Sequence, residues 1–193
     1  MGTYLETNCL YFLKAGPINT EVTVKAALRR AKERDIKKIL IATCTGKTPL
    51  MALKWAEPGI KLIAVSHVTG FAKPNHQELS TEVRRELEEQ GVSVLTCQHA
   101  FGGVGRGIRN KLGTYQVDEI MAFTLRLFGQ GAKVGVELAL MAADAGLVRT
   151  DEDVVTISGT GSGADTALIV QPANSFHCLD LKVKEIICKP AVF

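Results

Sequence analysis

Apolar and polar positions fall into short blocks that change period along the chain. Val24, Ala27, Leu28 and Ala31 recur at i, i+3, i+4 and i+7, the spacing of a helix that lays one face on a core. Asn19 or Thr20 can cap that helix, which is predicted to end near Asp35. Ile39–Ala42 then forms a continuous apolar run of strand length, and a short helix is expected over Thr48–Trp55 before Pro58-Gly59 breaks the chain. Leu62–Val65 reads as the next strand. Asn75 and Glu78 have the spacing of a capping box for a helix reaching Gln90, and Gly91 stops it ahead of a third strand, Val92–Thr96.

The connection that follows is long. Val117, Ile120, Met121, Thr124 and Phe128 share one helical face, whereas Val134–Ala145 is apolar nearly all round, as in a buried helix, with Gly146 as its stop. Val154–Ile157, Ala167–Val170 and Val183–Ile187 are predicted as strands. Such alternation defines an α/β fold in three layers: a mostly parallel sheet, helices on both faces, and antiparallel strands added by the C-terminal part. Neither a repeat nor a linker interrupts it, so residues 1–193 are expected to form one domain.

Composition narrows the function. The 193 residues are 46% hydrophobic and 22% charged, enough for a sizeable core. A net charge of +3, from 23 basic and 20 acidic residues without a sustained basic run, argues against nucleic acid as a partner and leaves a small anion acceptable. Cys9, Cys44, Cys97, Cys178 and Cys188 are odd in number and far apart. That spacing fits a reducing compartment and announces no metal centre. The start, with Tyr4, Glu6 and Asn8, is not a signal peptide, and no apolar run approaches the ~20 residues of a membrane span. A cytoplasmic protein without membrane attachment is expected.

Candidate chemistry gathers where strands end. Thr43, Cys44, Thr45, Gly46, Lys47 and Thr48 follow the first apolar run directly. A hydroxyl-rich turn with one lysine, leading into a helix, can hold a phosphate on backbone N–H groups and an ammonium; it can also be a helix cap rich in threonine. It is not a Walker loop, because that motif requires glycine where Ile41 stands. Gly159, Thr160, Gly161, Ser162 and Gly163 approximate a dinucleotide motif, but a strand rather than a helix follows. This segment is either a tight turn or a second wall of the same crevice.

Thr43-x-Thr45-Gly46-Lys47-Thr48 and Gly161-Ser162-Gly163 before a late strand resemble the C-terminal α/β domain of pyruvate kinase, where such loops hold the phosphates of a sugar bisphosphate effector. Phe128–Val134, Met141–Gly146 and Gly159–Ala167 extend the resemblance to a family of proteins that consist of such a domain alone. The resemblance implies a phosphorylated small molecule as ligand, flavin mononucleotide (FMN) above others. It also implies no pyruvate kinase activity, since the catalytic barrel has no counterpart. Cys44 stands where pyruvate kinases often have lysine, which disfavours two phosphates and fits one phosphate on an aromatic ring system. His67 and Phe71, with Phe101, are then the candidate ring contacts.

Other readings stay open. Gly102, Gly103, Gly105, Gly107 and Gly113, interleaved with Arg106, Arg109 and Lys111, can form a mobile cationic lid, a subunit contact or a surface loop. Cys44 or Cys97 with His67 or His99 can form a nucleophile pair, although no cysteine-hydrolase signature surrounds them. A bound flavin would permit redox chemistry. A regulatory module that binds a sugar phosphate is a further alternative, and the apolar helix Val134–Ala145 would allow homo-oligomers.

Overall fold

The stripe led by Val24 becomes α1 (Thr20–Glu33), with Val24, Ala27, Leu28 and Ala31 all buried. The computed structural model describes residues 3–193. Neither expected cap works in the ordinary way. Asn19 Nδ2 donates to the Lys14 and Gly16 carbonyls, while Thr20 is already helical and its hydroxyl accepts from Ala164 N–H at 2.9 Å. The helix ends on Asp35 in the left-handed region (φ 53°), with Ile36 N–H bonded to the Ala31 carbonyl and Asp35 N–H to that of Lys32. This is a Schellman ending without glycine.

After a short β1 (Leu10–Phe12), which no sequence pattern announced, the chain lays down β2 (Lys38–Thr43), α2 (Lys47–Leu53), β3 (Lys61–Ser66), α3 (Thr81–Glu89) and β4 (Ser93–Thr96). The crossover holds α4 (Val104–Leu112), α5 (Val117–Leu125) and α6 (Gln130–Asp144). It leads to β5 (Val154–Ser158), β6 (Thr166–Gln171) and β7 (Lys182–Pro190). The sheet order is β1-β7-β6-β5-β2-β3-β4. Strands β2 to β5 are parallel, β6 runs against both β5 and β7, and β1 pairs parallel with β7.

Helices α1, α2 and α3 cover one face through Val24, Ala31, Ala52 and Leu87 against Ile39, Ile41 and Val155. On the other face, α6 packs Leu138, Ala139 and Ala142 on Leu40, Ile63 and Val154. Its far side meets α5 through Val136, Leu140 and Ala122. Close approach explains Gly135, where a Cβ would lie 2.6 Å from Thr156 Oγ1 and 2.9 Å from Leu168 Cδ1. Because α6 is enclosed between sheet and α5, it is not a surface on which copies could associate.

Three local expectations are corrected. The Asn75–Glu78 pair does not cap α3: Asn75 lies in a loop at φ 61°, and Ser80 is the cap, accepting from Val83 N–H at 3.3 Å. Glu78 is instead drawn to His67. The glycine-rich stretch is mostly helical as α4, without a single buried residue. Finally, the expected apolar stripe of α5 is split: Met121 packs on the core, Val117 and Ile120 are exposed, and Glu119 and Ala122 are buried. Arg109 of α4 bridges Glu119 at 2.8 Å and makes that burial tolerable.

Candidate functional site

The chain advances from β2 through β3 to β4 on one face, then crosses to the other and returns at β5, on the opposite side of β2. The strand order therefore reverses between β2 and β5, the place where open α/β sheets hold ligands beyond the carboxyl ends of their strands. Register pairs Ile41 with Ile157. Two residues further on, Thr43 and Gly159 leave neighbouring strands at the same level, so the hydroxyl-rich turn and the glycine segment start side by side.

Within the turn the residues divide into scaffold and surface. Thr43 is buried and its Oγ1 accepts from Gly46 N–H at 2.8 Å. Gly46 takes φ 83°, and a Cβ there would overlap Val83 Cγ1 of α3. Thr48 is buried as well, Cys44 half-buried, and Thr45 and Lys47 are exposed. Among the described residues Lys47 makes no ion pair. Pro49 in the first turn of α2 has no N–H to offer an anion. The ammonium of Lys47 and the hydroxyl of Thr45 are thus what this turn presents outward.

The glycine segment is largely self-satisfied. Asp165, wholly buried, accepts from Gly16 N–H at 2.9 Å and Thr160 N–H at 3.2 Å, and its own N–H bonds to the Ser158 carbonyl. Gly161 and Gly163 have φ 76° and 68°, and a Cβ on Gly163 would stand 2.7 Å from Pro17 Cα. Ser162 N–H bonds to the Thr160 carbonyl. The Thr160 hydroxyl is buried without a partner. These glycines are accounted for by turn geometry and contact with the start of α1.

His67 and Phe71, expected as ring contacts, do come together after β3. Their rings lie 4.1 Å apart between centroids, and His99 from the loop after β4 joins them at 5.3 Å from His67 and 5.2 Å from Phe71. The Arg106 guanidinium of α4 sits 5.6 Å from the Phe71 centroid. Phe71 remains 43% exposed, which leaves an aromatic face for a ligand. Phe101 does not contribute, being buried against α5 and α6 with its N–H bonded to Glu137 at 2.9 Å. Burial, partly opposed by Glu137, holds His99 below the ordinary histidine range, and His67, Lys133 and Arg106 push the same way.

Cys44 Sγ lies 3.6 Å from both ring nitrogens of His67, and His67 Nδ1 lies 2.6 Å from Glu78 Oε2. Glu78 was legible only as a helix cap, because nothing in the sequence tells that its loop folds back. The loop does so through bonds from Gly70 N–H to the His76 carbonyl and from Gln77 Nε2 to that of His67. Burial, and then the Glu78 charge, raise the Cys44 thiol above its ordinary range. Burial and the Asp144 charge do the same at Cys97. Neither favours a thiolate nucleophile.

A groove at the other end of the strands is lined by Lys25, Lys32, Trp55 and Ile60. Its cations are engaged, Lys25 with Glu21 and the Trp55 ring and Lys32 with Glu57. The carboxyl edge of the strands, with its uncommitted Lys47 and aromatic group, is the better candidate.

Such a sheet, mostly parallel with antiparallel strands at its C-terminal side and helices on both faces, defines an α/β domain with its turn after β2 and glycine loop after β5 at one edge. The family model for the pyruvate kinase alpha/beta domain matches residues 21–170, and the chain belongs to that family. Among solved structures it is similar to pyruvate kinase of Cryptosporidium parvum, at 19% identity and a TM-score of 0.43 over 80% of this chain and 23% of that one. A structure of Cryptosporidium parvum pyruvate kinase in complex with ADP matches at 19% identity and a TM-score of 0.40, over 78% and 22%. The chain thus spans less than a quarter of the length of these enzymes. No helix among the described residues is long and apolar enough to cross a membrane.

Proposed function

We propose that the protein binds a phosphorylated small molecule, FMN above others, at the carboxyl edge of β2, β3 and β5. The observation that carries this reading is that the turn bearing the exposed Lys47, which makes no ion pair among the described residues, touches the half-exposed His67–Phe71–His99 group through Cys44. A phosphate on the Lys47 ammonium and the Thr45 hydroxyl would leave an attached ring system within reach of Phe71 and His67, with Arg106 at the rim. The unpartnered Thr160 hydroxyl at the end of β5 adds a hydrogen-bonding group on the other side. The pyruvate kinase reaction is no part of this proposal, because these residues form the α/β domain and no (β/α)8 barrel.

The reading is tested by titrating ligand-free protein with FMN and with riboflavin and following flavin fluorescence. FMN is expected to bind and riboflavin to bind at least tenfold more weakly. Lys47→Ala should weaken FMN by about ten- to a hundredfold, the range of a charge-assisted hydrogen bond worth roughly 1.5–3 kcal/mol. Equal affinity for the two flavins would reject the phosphate turn. Binding of sugar phosphates instead, again lost with Lys47→Ala, would identify an effector-type module.

A further inference from the structure

Three loops bring a thiol, an imidazole and a carboxylate to one point beside the phosphate turn. Cys44 leaves β2, His67 leaves β3, and Glu78 is returned by the loop ahead of α3. One donor atom from each lies within 4.8 Å of the other two. We propose that Cys44, His67 and Glu78 form a binding site for a zinc-class divalent cation, with three protein ligands and one position left for a water or a ligand oxygen.

The donor set selects the ion. Thiolate and imidazole favour zinc, and cobalt as its spectroscopic substitute, over magnesium or calcium, which take oxygen ligands. Three protein ligands with an open fourth position is the pattern of zinc sites that meet a ligand. With Zn–S and Zn–N bonds of about 2.3 and 2.05 Å, a tetrahedral ion sets sulfur and nitrogen about 3.6 Å apart. That is the separation observed between Cys44 Sγ and His67. The equal distance to both ring nitrogens sets the sulfur off the in-plane lone pair of each, so the imidazole turns about its χ2 bond to aim a nitrogen at the ion.

Glu78 Oε2 stands 2.6 Å from Nδ1. Binding widens this contact to the roughly 3.3 Å of a tetrahedral N···O edge, a side-chain adjustment at two partly exposed residues. The backbone of His67 is held by Gln77, so binding asks for a turn of the ring and no movement of the chain. Ligands separated by 23 and 11 residues leave no local motif in the sequence. The site shares His67 with the proposed ring contacts, but none of its ligands is Lys47 or Thr45, so cation binding and phosphate binding are tested apart.

The test uses untagged full-length protein, chelator-treated and free of flavin, titrated with Co²⁺. One equivalent should bind with a thiolate-to-cobalt charge-transfer band in the near ultraviolet, and Zn²⁺ should displace it. Cys44→Ser should abolish the band, and Glu78→Gln should weaken binding about tenfold or more, as loss of a ligand or its supporting partner does. No binding, or a band that persists in Cys44→Ser, would overturn the proposal. Should Cys44→Ser fail to fold, wild-type protein decides by iodoacetamide labelling and peptide mapping. Protection of Cys44 by Zn²⁺ supports the site, and an unchanged labelling rate rejects it.

Discussion

Within the turn after β2, neighbouring residues do different work. Thr43 and Gly46 close the turn through one hydrogen bond, and Gly46 also makes room for Val83, so both act on the fold. Lys47 points to solvent and can be changed without cost to packing. Gly46→Ala would place a Cβ against Val83 at a φ that L-residues rarely adopt, and should destabilise by about 2–4 kcal/mol from backbone strain and overlap together. Lys47→Ala should stay within about 0.5 kcal/mol of wild type. Urea unfolding of the two variants separates these outcomes, and it makes Lys47→Ala a clean reporter of ligand binding. The hydroxyls of the turn were legible in the sequence as phosphate donors or helix caps. The structure divides those roles, giving Thr43 to the turn and leaving Thr45 outside.

At the scale of elements, local signals were trustworthy where the chain closes on itself. Gly91 and Gly146 end α3 and α6 in Schellman motifs, with Val92 N–H bonded to the Leu87 carbonyl and Leu147 N–H to that of Ala142. Signals were misleading where a distant partner decides. Glu78 fits a capping box until His67 claims it. The periodicity of α5 says which residues share a face but not which face turns inward, and Arg109 across the α4–α5 contact takes Glu119 in. Helix α4 forms although its glycines lower helix propensity. Its Gly107 has open space around a Cβ, so Gly107→Ala should raise stability by about 0.5–1 kcal/mol. Gly105 differs, since a Cβ there would crowd the Asp118 carboxylate, and Gly105→Ala should lower stability or bring no gain. Thermal unfolding of both variants checks the pair.

For the molecule as a whole, the join between β6, β7 and α1 buries Cys188 completely. Burial is the main cause that lifts its thiol from an ordinary value near 9 to about 12, while Thr23 and the Ala167 backbone pull the other way. With the folded value above the unfolded one, the native state keeps a proton that the unfolded chain releases between those limits. The stabilisation is complete below about pH 9 and is lost as pH rises toward about 12. Urea midpoints measured from pH 8 to 11 should fall more steeply for wild type than for Cys188→Ala, which lacks the thiol. Parallel curves would show that Cys188 titrates alike in both states.

The α/β class, six of the seven strands and the ends of most helices are legible in the residue order, because period, apolar runs and glycine stops are properties of adjacent residues. The same order also places Thr43–Thr48, His67 and Phe71 at strand ends. That β1 pairs with β7, that α6 is sealed between sheet and α5, and that Glu78 and Arg106 reach the site emerges only in the folded chain. Those outcomes depend on contacts between segments far apart in the chain, whose favourable partners no local pattern encodes. The candidate site is made of such contacts: each loop was legible alone, and their meeting at one edge of the sheet follows from strand order and register.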